Sequence, residues 1–132
     1  MDEWVALCHK DNCAKNGWKY TPLLPGAFGY DNIVVSLVYL FNQLKQIDVD
    51  NIETHYEILC DAVHRGWCEN YQYWRDNSPW NNGPYRKPAK LLGDAQRNAS
   101  LTTEYKHLPK EEQYKDKVFV DCILYETLYA TH

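Results

Sequence analysis

The chain has 132 residues, a net charge of −4, and 45% hydrophobic against 24% charged residues. That is enough for one domain with its own core, expected to span 1–132, and it excludes both a disordered polymer and a protein that coats nucleic-acid backbone non-specifically. The longest apolar run, 33–41, is interrupted at Ser36 and falls far short of the roughly 20 residues of a membrane helix, so no membrane partner is expected. Met1-Asp2-Glu3-Trp4 does not read as a secretory leader, which points to a cytoplasmic protein. The unusual quantity is the aromatic share of 14%, from eleven Tyr, five Trp and three Phe.

Asp2 is placed to cap a first helix reaching about Lys15, with Trp4, Leu7 and Cys8 on one face and Gly17 as its stop signal. Pro22, Pro25, Gly26 and Gly29 then mark a loop over 17–30. Asp31 reads as the next cap, followed by a helical stripe of Ile33, Leu37, Leu40, Phe41 and Leu44 that is apolar nearly all round and therefore central. Asp50 and Glu53 form a capping box ahead of a third helix, whose stripe is Ile52, Tyr56, Leu59, Cys60, Val63 and Trp67. From 70 to 103 the periodicity lapses. Pro79, Pro84, Pro88 and the turn signal Asn81-Asn82-Gly83 predict a long loop, kept ordered by its rings. Leu108-Pro109, with Glu111 and Glu112, opens the last helix, whose buried edge carries Val118, Cys122, Tyr125 and Tyr129. The expected fold is mainly α: a small four-helix domain with a long, ordered, aromatic-rich loop between helices 3 and 4.

Signatures of catalysis are sparse. Cys8, Cys13, Cys60, Cys68 and Cys122 are an odd number, against a complete disulfide framework. Cys8-His9 and Cys13 lack the paired spacing of a zinc site, so no metal or cofactor is expected. Cys60 and His64, one helical turn apart, have the spacing of a nucleophile and its base, and equally that of a core cysteine beside a packed histidine. Glu53, Glu57 and Asp61 form an acidic row of the kind a metal-dependent nucleotide hydrolase uses, and also of the kind that merely faces water.

The most distinctive segment is 65–97. It holds six basic residues and three acidic ones, a local charge of +3 on an otherwise acidic chain. Rings beside arginines suit planar anionic ligands, with the ring stacking a base and the guanidinium forking onto phosphate. Trp67, Trp74 and Trp80 are the candidate stacking rings, and Arg75, Arg86 and Lys87 the candidate phosphate partners. Tyr71, Tyr73 and Tyr105 would complete the wall. The competing possibility is that these rings fill the core.

Val63-His64-x-x-Trp67, Tyr73-Trp74 and Tyr105-x-x-Leu108-Pro109-x-Glu111-Glu112-x-x-Lys115-Asp116 together resemble the ryanodine-receptor (Ry) domain family. Leu7-Cys8-His9-Lys10-Asp11-Asn12-Cys13 is similar to the N-terminal Cys-His-x-x-Asn helix of its small stand-alone prokaryotic and phage members. The family's Gly-Trp-x-Tyr-Gly turn is replaced here by Tyr71-Gln72-Tyr73-Trp74-Arg75-Asp76, and 86–102 is an insertion. The resemblance implies a helical, non-enzymatic module that binds or sequesters a nucleotide-derived signal of the ADP-ribose or cyclic-nucleotide type. It also suits a phage or mobile-element accessory protein with an anti-defence role in the host cytoplasm. The alternatives are an interaction module or inhibitor of a host protein, including a homodimer, and the metal-dependent hydrolase.

Overall fold

The computed structural model describes residues 1–77 and 88–129, and these are helical apart from their connections, with no strand among them. No helix among the described residues is long and apolar enough to cross a membrane. Helix α1 (Asp2–Asn16) carries Asp2 and Glu3 in its first turn, where the positive end of the helix dipole favours acids. Asp2 is not the cap that was expected. Met1 occupies that position, and the Asp2 carboxylate instead accepts the Tyr30 hydroxyl, tying the first helix to the second.

Gly17 ends α1 as anticipated, at φ +69°, a left-handed conformation in which a side chain is strained. Its N–H donates to the Ala14 carbonyl at 3.3 Å, and the Trp18 N–H donates to the Cys13 carbonyl at 2.9 Å. This closure satisfies the last carbonyls of the helix and turns Trp18 back over its end.

Helix α2 (Phe28–Leu44) starts three residues earlier than Asp31, with Ala27 in extended conformation as its cap. Gly29 is helical, and its missing side chain lets Leu23 pack 3.3 Å from where a Cβ would stand. Asp31 lies in the first turn and accepts the Trp74 indole N–H at 3.2 Å. After α2 the chain makes two short tight turns, Val49–Asn51 and Glu53–His55. The expected capping box of Asp50 and Glu53 does not form. Ile52 precedes the second turn with no side-chain cap, and the Asp48 carboxylate serves the first, accepting the Asp50 N–H at 3.2 Å.

Helix α3 (Tyr56–Asn77) runs ten residues past Trp67, and helix α4 (Pro88–Leu101) occupies most of the rest of the expected loop. Two signals account for this correction. Val63, Trp67, Tyr71 and Trp74 continue the helical spacing in steps of four, four and three. Pro88 opens α4, and a proline at a first helical position costs no intrahelical bond. The described chain therefore has five α-helices instead of four, and the long loop is absent over 70–77 and 88–101. The turn signal at Asn81-Asn82-Gly83 lies outside the described residues. After the tight turn Tyr105–His107, helix α5 (Lys110–Leu124) begins behind Pro109 as expected and loosens into a wider π-type turn, Tyr125–Tyr129.

The core is built from Leu37 and Leu40 of α2, Leu59, Cys60 and Val63 of α3, and Val120 and Ile123 of α5, with Tyr105 and Leu108 beneath. Each fully buried Leu or Ile contributes on the order of 1.5–3 kcal/mol over an exposed one. The closest helix contact is between α2 and α3. A Cβ on Gly66 would stand 2.9 Å from the Ser36 Cα and 3.1 Å from the Val35 carbonyl oxygen. Those are backbone atoms and cannot turn aside. Gly66→Ala is therefore expected to destabilise the fold by about 1–3 kcal/mol, the usual cost of overpacking, read as a lower urea midpoint at unchanged slope. A midpoint equal to that of the wild type would show that the two helices are not held this closely.

Candidate functional site

The rings singled out in the sequence pack largely against one another. Trp67 lies nearly parallel to His64 on one side (centroids 6.2 Å apart, planes at 9°) and to Tyr71 on the other (5.1 Å, 3°). The Arg97 guanidinium of α4 sits 5.9 Å from the Tyr71 ring centre, a cation–π contact at the end of the column. His64 is fixed in turn, because its Nε2–H donates to the Thr103 carbonyl at 2.8 Å. Tyr71 is fully buried and Trp67 half-buried, so the faces of Trp67 are taken and its edge is what remains.

The other candidates lie elsewhere. Trp74 meets Phe28 edge-on at 5.7 Å besides binding Asp31. Arg75 pairs with Asp76 at 3.1 Å and donates to Asn98 Oδ1 at 2.9 Å. Tyr73 is exposed, and Tyr105 is buried with its hydroxyl on Cys60. Trp80, Arg86 and Lys87 lie outside the described residues. Of the described members of the expected wall, only Trp67 reaches the cavity described next.

That cavity, about 240 Å³, lies between α1, α2, α3 and α5. Its apolar walls are Cys8, Ile33, Val63, Trp67, Val118, Phe119 and Cys122, joined by Trp18, which is 61% exposed. Polar groups enter from three helices: His9, Asp11, Asn12 and Asn16 from α1, Asn32 and Ser36 from α2, Lys115 and Asp116 from α5. Most are already engaged. His9 Nε2–H donates to the Thr21 carbonyl at 2.8 Å, Asp11 pairs with Lys15 at 2.9 Å, and Asn16 donates to Asn12 Oδ1 at 3.0 Å. Two acceptors are not. Asn32 Oδ1 is buried with no hydrogen-bond partner among the described residues. Asp116 also accepts no side-chain hydrogen bond among them, and burial, reinforced by Glu112 and Asp61 against the partial relief of Lys115, pushes its carboxyl up to about 8.

A larger, open groove of about 840 Å³ runs along the other side of α3, past Glu57, Asp61, Arg65, Glu104, Tyr105 and Lys106. Most of its charges are spent on each other: Arg65 pairs with Asp61 at 3.0 Å and Lys106 with Glu104 at 3.4 Å, while Glu57 is in no such pair among the described residues. Ligand sites enclose most of a ligand and aim a few polar groups inward. The cavity does both and the groove does neither.

The remaining chemical motifs have structural surroundings. His64 faces Cys68 at 3.5 Å, and Cys60 is instead bonded to Tyr105 and Tyr56; burial pushes both thiols up to about 11, so neither is a thiolate at neutral pH. No group of three or more His, Cys, Asp or Glu that could hold a metal occurs among the described residues, the row Glu53, Glu57 and Asp61 included.

Comparison with family models, curated proteins and solved structures finds no match to this chain. The site therefore rests on its own geometry. Trp18 and Asn32 are not singled out by the sequence, where 17–30 reads as a loop, and Asp116 stands out only as the end of the Ry-type motif.

Asp116 also sets a pH dependence. Its carboxyl is raised from 3.8 to about 8, so between those values the folded chain holds a proton that the unfolded chain has lost. The associated stability is full below about pH 4 and falls as pH rises towards 8. Melting temperature is expected to drop more steeply from pH 5 to pH 8 in the wild type than in Asp116→Asn. Parallel curves for the two proteins would mean that the carboxyl is not held in this way.

Proposed function

We propose that the chain is a non-enzymatic binding protein that holds a small ring-bearing molecule in the cavity lined by Trp18, Asn32 and Asp116. The observation that carries this reading is a buried, unpartnered acceptor, Asn32 Oδ1, in an enclosed space with aromatic and aliphatic walls. An unmet acceptor costs about 1–3 kcal/mol, and a ligand donor would recover it. At about 240 Å³ the cavity is smaller than the roughly 300–1,000 Å³ of sites for drug-sized ligands. It suits a single base-sized ring better than a whole dinucleotide.

The Ry-type resemblance supports the same place. Cys8, His9 and Asn12 of the N-terminal motif, Trp67 of His-x-x-Trp, and Lys115-Asp116 of the last motif all line this cavity. Within that family reading, the ligand class is a nucleotide-derived signal recognised through its base and sequestered. Phosphate pairing by Arg75 has less support, because that side chain is engaged by Asp76 and Asn98.

A second reading, an interaction module or homodimer, draws on Tyr114 and Tyr125, both more than half exposed and eleven residues apart, three helical turns along one outer line. A dimer in solution that dissociates in Tyr114→Ala would favour it. The hydrolase reading draws only on the acidic row, in which Asp61 is already held by Arg65.

The first reading is tested by thermal shift with nucleobases, nucleosides, cyclic nucleotides and ADP-ribose. A true ligand at 100 times its Kd adds about 2.7 kcal/mol of stability, and Trp18→Ala is expected to weaken it by at least about tenfold, the scale of an aromatic hot spot. Absence of any shift across the panel overturns the nucleotide class, and a shift unchanged in Trp18→Ala overturns the cavity as its place.

A further inference from the structure

Asp116 and Asn32 approach one cavity from facing helices, α5 and α2, and both offer acceptors. Around them most donors have other work. The His9 Nε2–H is on the Thr21 carbonyl, the Asn16 amide is on Asn12, and the Lys15 ammonium is on Asp11. Lys115 points to Glu112 at 3.1 Å. The donors that remain, the Ser36 hydroxyl and the Asn12 and Asn32 amides, are neutral, so what the cavity lacks is an unengaged positive charge to set against Asp116.

Resting on the reading of this cavity as a ligand site, we propose that its ligand is a planar cation of the amidinium or guanidinium type, with its N–H edge on the Asp116 carboxylate and Asn32 Oδ1 and the Trp18 and Trp67 rings in the walls around it. Three features favour that class over a neutral ring or an anion. A carboxylate matches the paired N–H groups of an amidinium with two parallel bonds. Indoles in the lining, Trp18 and Trp67, favour a flat cation as well as packing on it. An anion would meet Asp11 and Asp116 with no unengaged cation inside.

The charges around Asp116 come from every neighbouring element. Glu112 and Lys115 flank it on α5, and Asp61 acts from α3. His64 of α3 shares with it a second small cavity of about 50 Å³. Asp11, paired with Lys15, and His9 face it from α1, whereas α2 contributes only the uncharged Asn32 and Ser36 among the polar lining. Apart from Lys115, which is partly neutralised by Glu112, nothing offsets an ionised Asp116. A bound cation supplies that charge and lets the carboxyl lose its proton. Binding and proton release are then one event.

Calorimetry with the intact chain tests this, using benzamidine as the planar cation, benzamide as its neutral isostere and adenosine as a nucleoside bearing a neutral donor edge. With the carboxyl titrating at about 8, benzamidine is expected to bind about fifty-fold more tightly at pH 8 than at pH 6. Benzamide should show no such gain, and adenosine should bind more weakly than benzamidine at pH 8. Asp116→Asn should abolish the pH dependence, and Asn32→Leu should weaken benzamidine while keeping the dependence. The second variant and the wild-type pH profile decide the matter if the first does not fold. Benzamide or adenosine binding as tightly as benzamidine at pH 8 overturns the cation and leaves the cavity as a site for neutral rings. Failure of all three probes overturns the cation too, and failure of the nucleotide panel besides removes the cavity as a ligand site.

Discussion

Everything in the fold leans on the contact that Gly66 permits. With no side chain there, the α3 backbone comes against Ser36 and Val35 of α2, closer than two ordinary residues allow. Leu37 and Leu40 then reach Leu59, Cys60 and Val63, forming a two-helix slab that α5 and α1 lean on. The cavity is the by-product of that geometry. The same tight approach brings Asn32, Ile33 and Ser36 beside Val63 and Trp67, and α1 and α5 close the wedge from its open side without filling it. A wider separation of α2 and α3 would let side chains interdigitate there.

The polar groups show how the molecule divides stability from specificity. At the surface, acids and bases neutralise each other one turn apart, as in Lys15 with Asp11, Arg65 with Asp61 and Lys115 with Glu112. Exposed pairs of this kind contribute little, roughly 0–1 kcal/mol each. Inside, the thiols of Cys60 and Cys68 stay protonated because burial disfavours their charge. Among the described residues the Asn70 amide on α3 and Asn32 Oδ1 at the cavity are buried without a hydrogen-bond partner, and of the two only Asn32 faces an open space. Local rules fail most often where a protein has a use for the failure.

Much of the helical plan was legible from spacing and punctuation. Gly17 marked the end of α1, the stripe from Ile33 to Leu44 marked α2, and Pro109 with its two glutamates marked α5. The stretch after Trp67 was not, because its prolines were counted as breakers, although Pro88 begins a helix and Tyr71 and Trp74 keep the period of α3. Crowded rings drew attention to 65–97, but counting rings cannot tell a binding face from a stack. Trp67 and Tyr71, four residues apart on one helix, satisfy each other. The cavity was illegible for a different reason. Trp18, Asn32 and Asp116 are spread over a hundred residues, and each is ordinary in its local context. A tryptophan directly behind a helix-terminating glycine was the one local hint.

None of the main cavity's described lining comes from α4, nor from the last turn of α3. Arg97, Ser100 and Leu101 touch the ring column, the small cavity or the outer groove instead. Residues 95–101 of α4 can therefore vary without touching the described lining of the cavity, as long as Arg97 keeps its place on Tyr71. A replacement at position 116, by contrast, rewrites the polar lining itself.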